Sequence, residues 1–522
     1  MSDTLAPSAG RHAARPLFDS GDWTVADIER IHEAVTEVGV GELGLELYRN
    51  RIEIITSEQM LDAYASLGLP HMYRHWSFGK RFARHEILYR KGLTSLALEM
   101  IVNSNPSVCY LMEENDATAQ ATVLAHAAMG HNHFFRNNQA FREWTDADTI
   151  LDYAEFVRNY VARCEETYGL EAVERTLDAA HALQSQGVDR IAPRHRRTVE
   201  EELRRIAERR RYERETEHEL WRVVARPIPQ AAGTDEPADP DTEAERRALA
   251  LPEENLLLFL EKQSPSLKPW QRELLRIVRT LSTYFEPQRQ TKVMNEGCAC
   301  WCHYTIMHRL RDKGLLTDGA MLEFLHLHSS VVAQPPFDHP RSQGINPYAL
   351  GFAMCRDIER ICTEPTAEDH EWFPEIAGNG TPLETLKLAW SDFRDESFIR
   401  QYLSPQVIRD FHFFRLDDDP ADEALVVGAI HDERGYRRIR RALAAQHDPG
   451  ENRPRIEVTD ADLRGNRQLR LQHTVRRGRT LDALEARRTL RHLSTLWGYT
   501  VVLDEVDDET AKTVATHRQE QH

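Results

Sequence analysis

Apolar residues recur with a helical period along most of the chain. The clearest examples are WTVADIERIHEAVTEVG, DADTILDYAEFVRNYVARCEETYG, LEAVERTLDAAHALQSQG and PWQRELLRIVRTLSTYF. Their apolar side chains lie three or four residues apart, which is the spacing of one face of an α-helix. Thr24 or Asp22 can cap the first helix, and Gly169 can end the second. The pattern predicts a mainly α body over about residues 20–400.

The pattern changes near residue 405. Five runs are rich in β-branched and aromatic residues, and several of them alternate: VIRDFHFFRL, EALVVGAI, RPRIEVTDADL, RQLRLQHTV and YTVVLDEV. Two helix-like stretches, GYRRIRRALAAQH and LDALEARRTLRHLSTLWG, lie between them. The order β-β-α-β-β-α-β predicts a smaller C-terminal α/β sandwich domain at residues 405–510.

Two polar segments flank or interrupt the predicted helical domain at residues 21–404. Residues 1–20 form a polar arm with Ala, Ser and Pro, which we expect to be flexible. An insertion at about residues 194–250 combines an Arg/Glu-rich helix with an acidic, Pro-bearing loop. RNA binding through the arginine-rich helix is an alternative for this segment, but a solvated charged helix is favoured.

The overall charge narrows the possible functions. The 522 residues carry a formal net charge of −18, which argues against a general nucleic-acid-binding surface because neutralising phosphates requires a cationic face. The seven cysteines form no extracellular-type framework, and the N-terminus has no apolar signal segment. We therefore expect a cytoplasmic protein with reduced thiols and no membrane span.

The stretch HAAMGHNHFFRNN places His126, His131 and His133 close together in apolar surroundings. On an α-helix His126 and His133 share one face, whereas His131 lies well around the helix unless Gly130 breaks it. His126 and His133 are also about 10 Å apart along a straight helix, so one ion would need a bend to contact both. A second stretch, MNEGCACWCHYTI, places Glu296, Cys300 and His303 at the same spacing.

These residue types predict a divalent metal site, with zinc as the first choice. The candidate ligands are His126, His131, His133 and Glu296, and the candidate proton-transfer residues are Glu113, Glu114 and His303. The alternative is a set of core histidines bonded to buried acids. Ala127 follows His126, so the glutamate base of ordinary zinc peptidases is missing from its usual place. Cys298, Cys300 and Cys302 are interpreted as small buried thiols.

The stretch HMYRHWSFGKRFARHE mixes aromatic rings with cations. His75, Lys80 and Arg81 are candidates for binding an anionic ligand. The favoured alternative is an aromatic packing cluster with solvated cations.

Several motifs occur in order along the chain: HWSFGKRF, LEMIVNSNP, YLMEEN, HAAMGHNHFF, WTDAD, PQRQTKVMNEG, INPYALGFAMCRDIERI and FRDESFIRQYLSP. Together they resemble the SpoVR family, stage V sporulation protein R, from about residue 20 to the C-terminal domain. The family more often has threonine where Cys300 stands and a bulkier residue where Cys302 stands. The resemblance therefore does not call for thiol ligands there.

The resemblance implies a physiological role rather than a reaction. Relatives in endospore formers are tied to spore cortex formation, and those in other bacteria to stationary-phase and stress physiology. It also implies two partners, a PrkA-type serine protein kinase and a von Willebrand-type domain protein.

Two functional hypotheses follow. The first is a zincin-like, metal-dependent hydrolase of a peptide or amide bond in peptidoglycan metabolism. It rests on an analogy with peptidases that pair a His-bearing helix with a downstream Glu-Gly-x-Ala helix, here beginning at Glu296. The second is a non-catalytic regulatory scaffold that works with the kinase and its partner, in which the polar cluster is structural.

Overall fold

A computed structural model of the chain describes residues 15–65, 73, 75, 99–190, 249, 251–336, 339, 344–417, 426–429 and 432–520. Most of the predicted arm, nearly all of the predicted charged insertion, and Lys80 and Arg81 lie outside these residues. The chain forms two compact units. The first consists of Met1–Tyr168 and Tyr284–Asn452, and the second of Gly169–Thr283 and Arg453–His522. The first unit thus runs past the predicted boundary at residue 405, to residue 452.

The first unit is mainly helical. Its elements before residue 169 are α1 (Val25–Thr36), β1 (Asn50–Ile55), α2 (Ser57–Ala65), β2 (Glu99–Ile101), β3 (Ser107–Met112), α3 (Ala117–Val123), a π-helical segment (Leu124–His131), α4 (Asn132–Asn137), α5 (Gln139–Trp144) and α6 (Ile150–Tyr168). A further π-helical turn, Glu37–Glu42, extends α1. We call the continuous stretch from α3 through the π-helical segment to α4 the histidine helix.

The second unit begins with α7 (Leu170–Ala182), a 3-10 turn (Gln184–Gln186), α8 (Leu256–Gln263) and most of α9 (Pro269–Gln290). The first unit then resumes with α10 (Lys292–Asp312), α11 (Asp318–Val331), α12 (Pro347–Thr363), α13 (Ala367–Trp372), α14 (Pro382–Asp392), α15 (Asp395–Tyr402), α16 (Pro405–Asp410), β4 (Arg415–Asp417), β5 (Val426–Ala429), α17 (Glu433–Gln446) and α18 (Pro449–Asn452). The second unit ends with β6 (Ile456–Ala461), β7 (Leu469–Val475), α19 (Ala483–Trp497), β8 (Val501–Asp507) and β9 (Thr513–Gln519). The prediction of a mainly helical body followed by a smaller C-terminal α/β domain is confirmed.

Local sequence signals explain several helix ends. Of the two predicted caps of α1, Thr24 is the one used, and it forms a capping box with Asp27. Gly169, at φ 85°, ends α6. At the predicted flexible arm, by contrast, Leu17 and Phe18 are buried in the core, and the Leu17 amide donates to Leu315 at 2.9 Å.

A three-stranded sheet lies within the helical body, in the order β1-β3-β2. β3 pairs in parallel with β1 and antiparallel with β2. Every residue of β3, SVCYLM, is buried. A fully buried strand shows no alternation, so its apolar run is not distinguishable from a helix by periodicity. The prediction of a mainly helical body holds, but this strand was not among the predicted elements.

The C-terminal sheet has the order β6-β7-β8-β9. β7 and β8 are parallel and are connected through α19, while the outer pairs are antiparallel. Asp482 caps α19 and Gly498 ends it. The run VIRDFHFFRL, predicted as a strand, begins with the last four residues of helix α16, which Ser404 caps and Pro405 opens. Its last two residues, Arg415 and Leu416, lie in the strand β4. β9 was not predicted, since it is polar and largely exposed.

None of the helices among the described residues is both long enough and apolar enough to cross a membrane.

Candidate metal centre

Glycines bring three helices of the first unit into backbone contact. A Cβ added at Gly130 of the histidine helix would lie 2.5 Å from the Cα of Ala299 in α10. A Cβ added at Gly297 of α10 would lie 2.7 Å from the Cα of Gly351 in α12. Only glycine fits such contacts. The Met-Gly-His, Asn-Glu-Gly and Leu-Gly-Phe motifs therefore set the spacing of the helices that carry the polar residues.

The π-helical segment Leu124–His131 determines which histidines share a face. In an α-helix, residues five apart point in directions about 140° apart. Hydrogen bonding from i to i+5 in the π segment brings such residues back to one side, an arrangement that is frequent at functional sites. His126 and His131 consequently lie together, with ring centroids 4.7 Å apart. The regular α-helix that would turn His131 away from His126 is thus replaced by a π-helical segment, which brings the two rings together.

Glu296 of α10 faces both of these histidines. Its Oε2 atom lies 3.7 Å from Nε2 of His126 and 3.5 Å from Nε2 of His131. Neither distance is a hydrogen bond, and Oε2 is buried without a hydrogen-bond partner among the residues that the structure describes. The carboxylate side chain is 13% exposed, so it is close to solvent without being immersed in it.

Asn295, the neighbour of Glu296, determines the tautomer of His131. Nδ1 of His131 lies 2.9 Å from Oδ1 of Asn295. An amide oxygen only accepts, so Nδ1–H of His131 is the donor. In a neutral ring the other nitrogen, Nε2, then presents a lone pair to the carboxylate. Two lone pairs facing each other at 3.5 Å are unfavourable unless a cation or a proton lies between them.

The distances fit an ion between the three side chains. Ligands bound at about 2.1 Å in a tetrahedral arrangement are about 3.4 Å apart. The two carboxylate–imidazole distances, 3.5 and 3.7 Å, are close to this value. One ligand atom from each of His126, His131 and Glu296 lies within 4.8 Å of the others. Two imidazoles and one carboxylate form a ligand set used for zinc and for ferrous iron.

A second possible ligand set lies on the other side of the His126 ring. His126, Cys300 and His303 also fall within 4.8 Å of one another. However, Nδ1 of His303 lies 2.8 Å from Nδ1 of His126, and Nε2 of His303 lies 2.7 Å from Nδ1 of His328 in α11. Both ring nitrogens of His303 are therefore used in hydrogen bonds. An ion there would have to break them, so the Glu296 set is the better candidate.

His133 does not join the group. Its Nδ1 accepts from the Glu46 amide at 3.1 Å, and Asn137 lies 3.0 Å from the same nitrogen. Its ring packs edge-on against Trp390. Burial lowers the pKa of His133 to about 4, which keeps the ring neutral. The structure therefore gives His133 a role in packing, as the core-histidine alternative describes.

The remaining predicted residues lie elsewhere. Glu113 and Glu114 are exposed beyond the end of β3, and Glu114 accepts from the Ser57 amide at 3.1 Å. His75 is buried, while the two cations predicted beside it are outside the described residues. All seven cysteines are buried and form no disulfide. Burial raises the pKa of the Cys298 thiol well above its usual value, which agrees with the interpretation of these residues as packed thiols.

Sequence reasoning missed three residues that support the site. Asp395 at the start of α15 accepts from the Val293 and Met294 amides, both at 2.9 Å, and so caps α10. Burial raises the pKa of Asp395 to about 7, and the nearby charge of Glu296 also raises it. Asn295 orients His131 as described above, and His328 extends the histidine chain. Asp395 and Asn295 lie in the motifs FRDESFIRQYLSP and PQRQTKVMNEG, whereas His328 lies in none of the quoted motifs.

Comparison with known proteins gives matches over nearly the whole chain. Residues 22–452 match the family model described as SpoVR like protein, and residues 454–508 match the SpoVR-like C-terminal domain. A curated relative from Escherichia coli (strain K12), the uncharacterized protein YcgB, is 48% identical over 494 residues, which cover 94% of each chain. No solved structure matches. The chain therefore belongs to the SpoVR family.

Proposed function

We propose that this chain is a metal-dependent enzyme whose mononuclear centre is formed by His126, His131 and Glu296. The proposal rests mainly on one observation: Oε2 of Glu296 is buried, is not hydrogen-bonded to any described residue, and lies 3.5–3.7 Å from two imidazole nitrogens. A divalent cation satisfies all three atoms at once. Zinc is the first choice because it accepts imidazole and carboxylate ligands in this geometry.

The reaction we propose is hydrolysis of a peptide or amide bond. A bound divalent ion supplies an acidified water and polarises a carbonyl group. Of the predicted proton-transfer residues, only His303 contacts this group, through its 2.8 Å hydrogen bond to His126. Glu113 and Glu114 are exposed elsewhere, so we assign them no part in the chemistry. A role in spore cortex formation, which the family resemblance implies for relatives in endospore formers, would place the substrate in peptidoglycan metabolism.

A second candidate is a regulatory scaffold that works with a PrkA-type serine kinase and a von Willebrand-type domain protein. The observation that favours it is burial, since His126, His131 and His303 are all almost inaccessible to solvent. A large substrate reaches such a group only if the surrounding helices separate. In this case the ion would stabilise the fold rather than react.

Metal uptake by the purified full-length chain tests the proposal. We expect one equivalent of zinc per chain by equilibrium dialysis, and we expect His126→Ala and Glu296→Gln each to abolish it. His133→Ala is the matched control, because His133 is an equally buried histidine on the same helix that does not face Glu296. A wild-type chain that takes up no divalent ion, or equal loss in the control, would overturn the proposed centre.

Loss of amidase activity towards peptidoglycan fragments in the two ligand variants would support the hydrolase. Retained zinc binding with no hydrolysis of any peptidoglycan peptide, combined with capture of the kinase by the full chain, would favour the scaffold.

A further inference from the structure

Three buried histidines form an unbroken hydrogen-bonded chain behind the proposed centre. His126 belongs to the histidine helix, His303 to α10 and His328 to α11. The two nitrogen–nitrogen distances are 2.8 and 2.7 Å. Each of these contacts requires one proton between the two nitrogens, so the tautomers of the three rings are not independent.

Neutral rings can arrange these protons in only two ways. In the first, His126 donates from Nδ1 to His303, His303 donates from Nε2 to His328, and Nε2 of His126 is unprotonated. In the second, every donor and acceptor is exchanged, and Nε2 of His126 carries the proton. Only the first arrangement presents a lone pair towards Glu296, and metal ligation requires that lone pair.

We propose that His303 and His328 are positioning residues that hold His126 in the metal-binding tautomer. This inference rests on the proposed function. Partners that fix the tautomer of a ligand histidine typically change metal affinity by about 10–100-fold when removed. His328 is the distal acceptor of the chain, so its loss leaves the Nε2–H of His303 without an acceptor and favours the reverse arrangement.

The surroundings of His328 favour a neutral ring. Phe352 and Phe324 lie with ring centroids 4.7 and 5.9 Å from it, and Tyr304 lies at 5.1 Å. Burial lowers the pKa of His328 to about 4. A neutral ring at the end of the chain restricts the three histidines to the two arrangements above, since a charged His328 would donate from both nitrogens.

The test compares three substitutions in the full-length chain by chelator competition for zinc. His328→Leu removes the acceptor, and we expect the dissociation constant for zinc to rise about tenfold or more. His328→Asn keeps an amide oxygen near the position of Nδ1, and we expect it to restore most of the affinity. His326→Leu changes an exposed histidine on the same helix and should leave the affinity unchanged.

The tautomer of His328 gives a second readout, which is measured on the wild-type chain. In ¹⁵N-histidine spectra of the zinc-loaded wild-type chain, with the His328 signals assigned by their absence from His328→Asn, we expect His328 to be protonated at Nε2. Protonation at Nδ1, or a folded His328→Leu chain with wild-type zinc affinity, would overturn the positioning role alone. A wild-type chain that binds no zinc would overturn the proposed centre and this inference with it.

Discussion

Each of the two units places a glutamate among histidines, but the two clusters differ in the hydrogen bonds that the carboxylate accepts. In the C-terminal sheet, Oε1 of Glu505 accepts from Nε2 of His517 at 2.7 Å, and Oε2 accepts from the Leu481 amide at 2.8 Å. His473 stands opposite Glu505 on the neighbouring strand, and its Nδ1 lies 3.1 Å from the Arg455 carbonyl oxygen. This is a complete hydrogen-bonded cluster.

The cluster around Glu296 in the helical unit lacks the corresponding hydrogen bonds. Glu296 stands 3.5 and 3.7 Å from the nearest imidazole nitrogens, and its Oε2 has no hydrogen-bond partner in the described part of the chain. The residue types are the same in both clusters, so composition does not distinguish them. The carboxylate–imidazole distances differ by about 1 Å, which separates a structural hydrogen bond around Glu505 from a group of atoms arranged as ligands around Glu296.

Removing each carboxylate in turn should show most clearly whether the two clusters differ in their contribution to stability. Glu505→Ala leaves His517 and the Leu481 amide without their acceptor, and we expect it to lower the free energy of unfolding by about 3–5 kcal/mol. Glu296→Ala removes a carboxylate whose Oε2 has no hydrogen-bond partner among the described residues, and we expect the metal-free chain to be unchanged or stabilised by about 1 kcal/mol. Calorimetry of both variants without metal measures the contrast. Equal losses would mean that Glu296 is a structural partner of its histidines.

The glycine contacts offer a way to disturb the helical cluster without touching a ligand. Gly130→Ala forces the histidine helix away from Ala299, and we expect a loss of about 1–3 kcal/mol in stability together with weaker zinc binding. Gly41→Ala is the matched control, because Gly41 lies in the other π-helical turn and has no atom within 4 Å of an added Cβ. A Gly130→Ala chain with wild-type stability and zinc affinity would show that the close approach is unnecessary.

The buried cap at Asp395 makes the stability of the first unit depend on pH. The folded pKa of Asp395 is about 7, well above its unfolded value of 3.8. The folded state therefore binds more protons between pH 4 and 7, and stability falls as pH rises through this range, by up to about 1.4 kcal/mol per pH unit. Asp395→Asn should remove this slope.

Glu296→Gln should shift the same slope to lower pH, because one cause of the raised pKa is the Glu296 charge. Denaturant unfolding at several pH values measures both variants. An unchanged profile in Glu296→Gln would show that the Glu296 charge does not contribute to the raised pKa of Asp395.

The two segments that carry the candidate ligands could be identified from the sequence, but the arrangement of their side chains could not. The sequence assigned His126 and Glu296 to one candidate site because of their residue types and apolar surroundings, and the structure places atoms of these two side chains 3.7 Å apart. Which of His131 and His133 joins them depends on the π-helical segment. That segment is stabilised by tertiary packing, including Gly130 against Ala299, and a helical repeat of 3.6 residues does not predict it.

The sequence did not predict the contacts of His328 and Asp395 for a similar reason, because these contacts join segments that are distant along the chain. His328 follows His303 by 25 residues and meets it only because α11 packs beside α10. Asp395 caps a helix that begins about 100 residues earlier. The helix order and the C-terminal strands were largely predicted from periodicity, whereas β3 was missed because both of its faces are buried.

X-ray absorption spectroscopy at the zinc edge of the loaded, full-length chain tests the central claim most directly. A centre formed by His126, His131 and Glu296 predicts a first shell of nitrogen and oxygen only, at about 2.0–2.1 Å. That shell should be lost in Glu296→Gln and kept in Glu505→Gln. A sulfur contribution at about 2.3 Å would place the ion at Cys300 instead, and a wild-type chain without bound zinc would contradict the account.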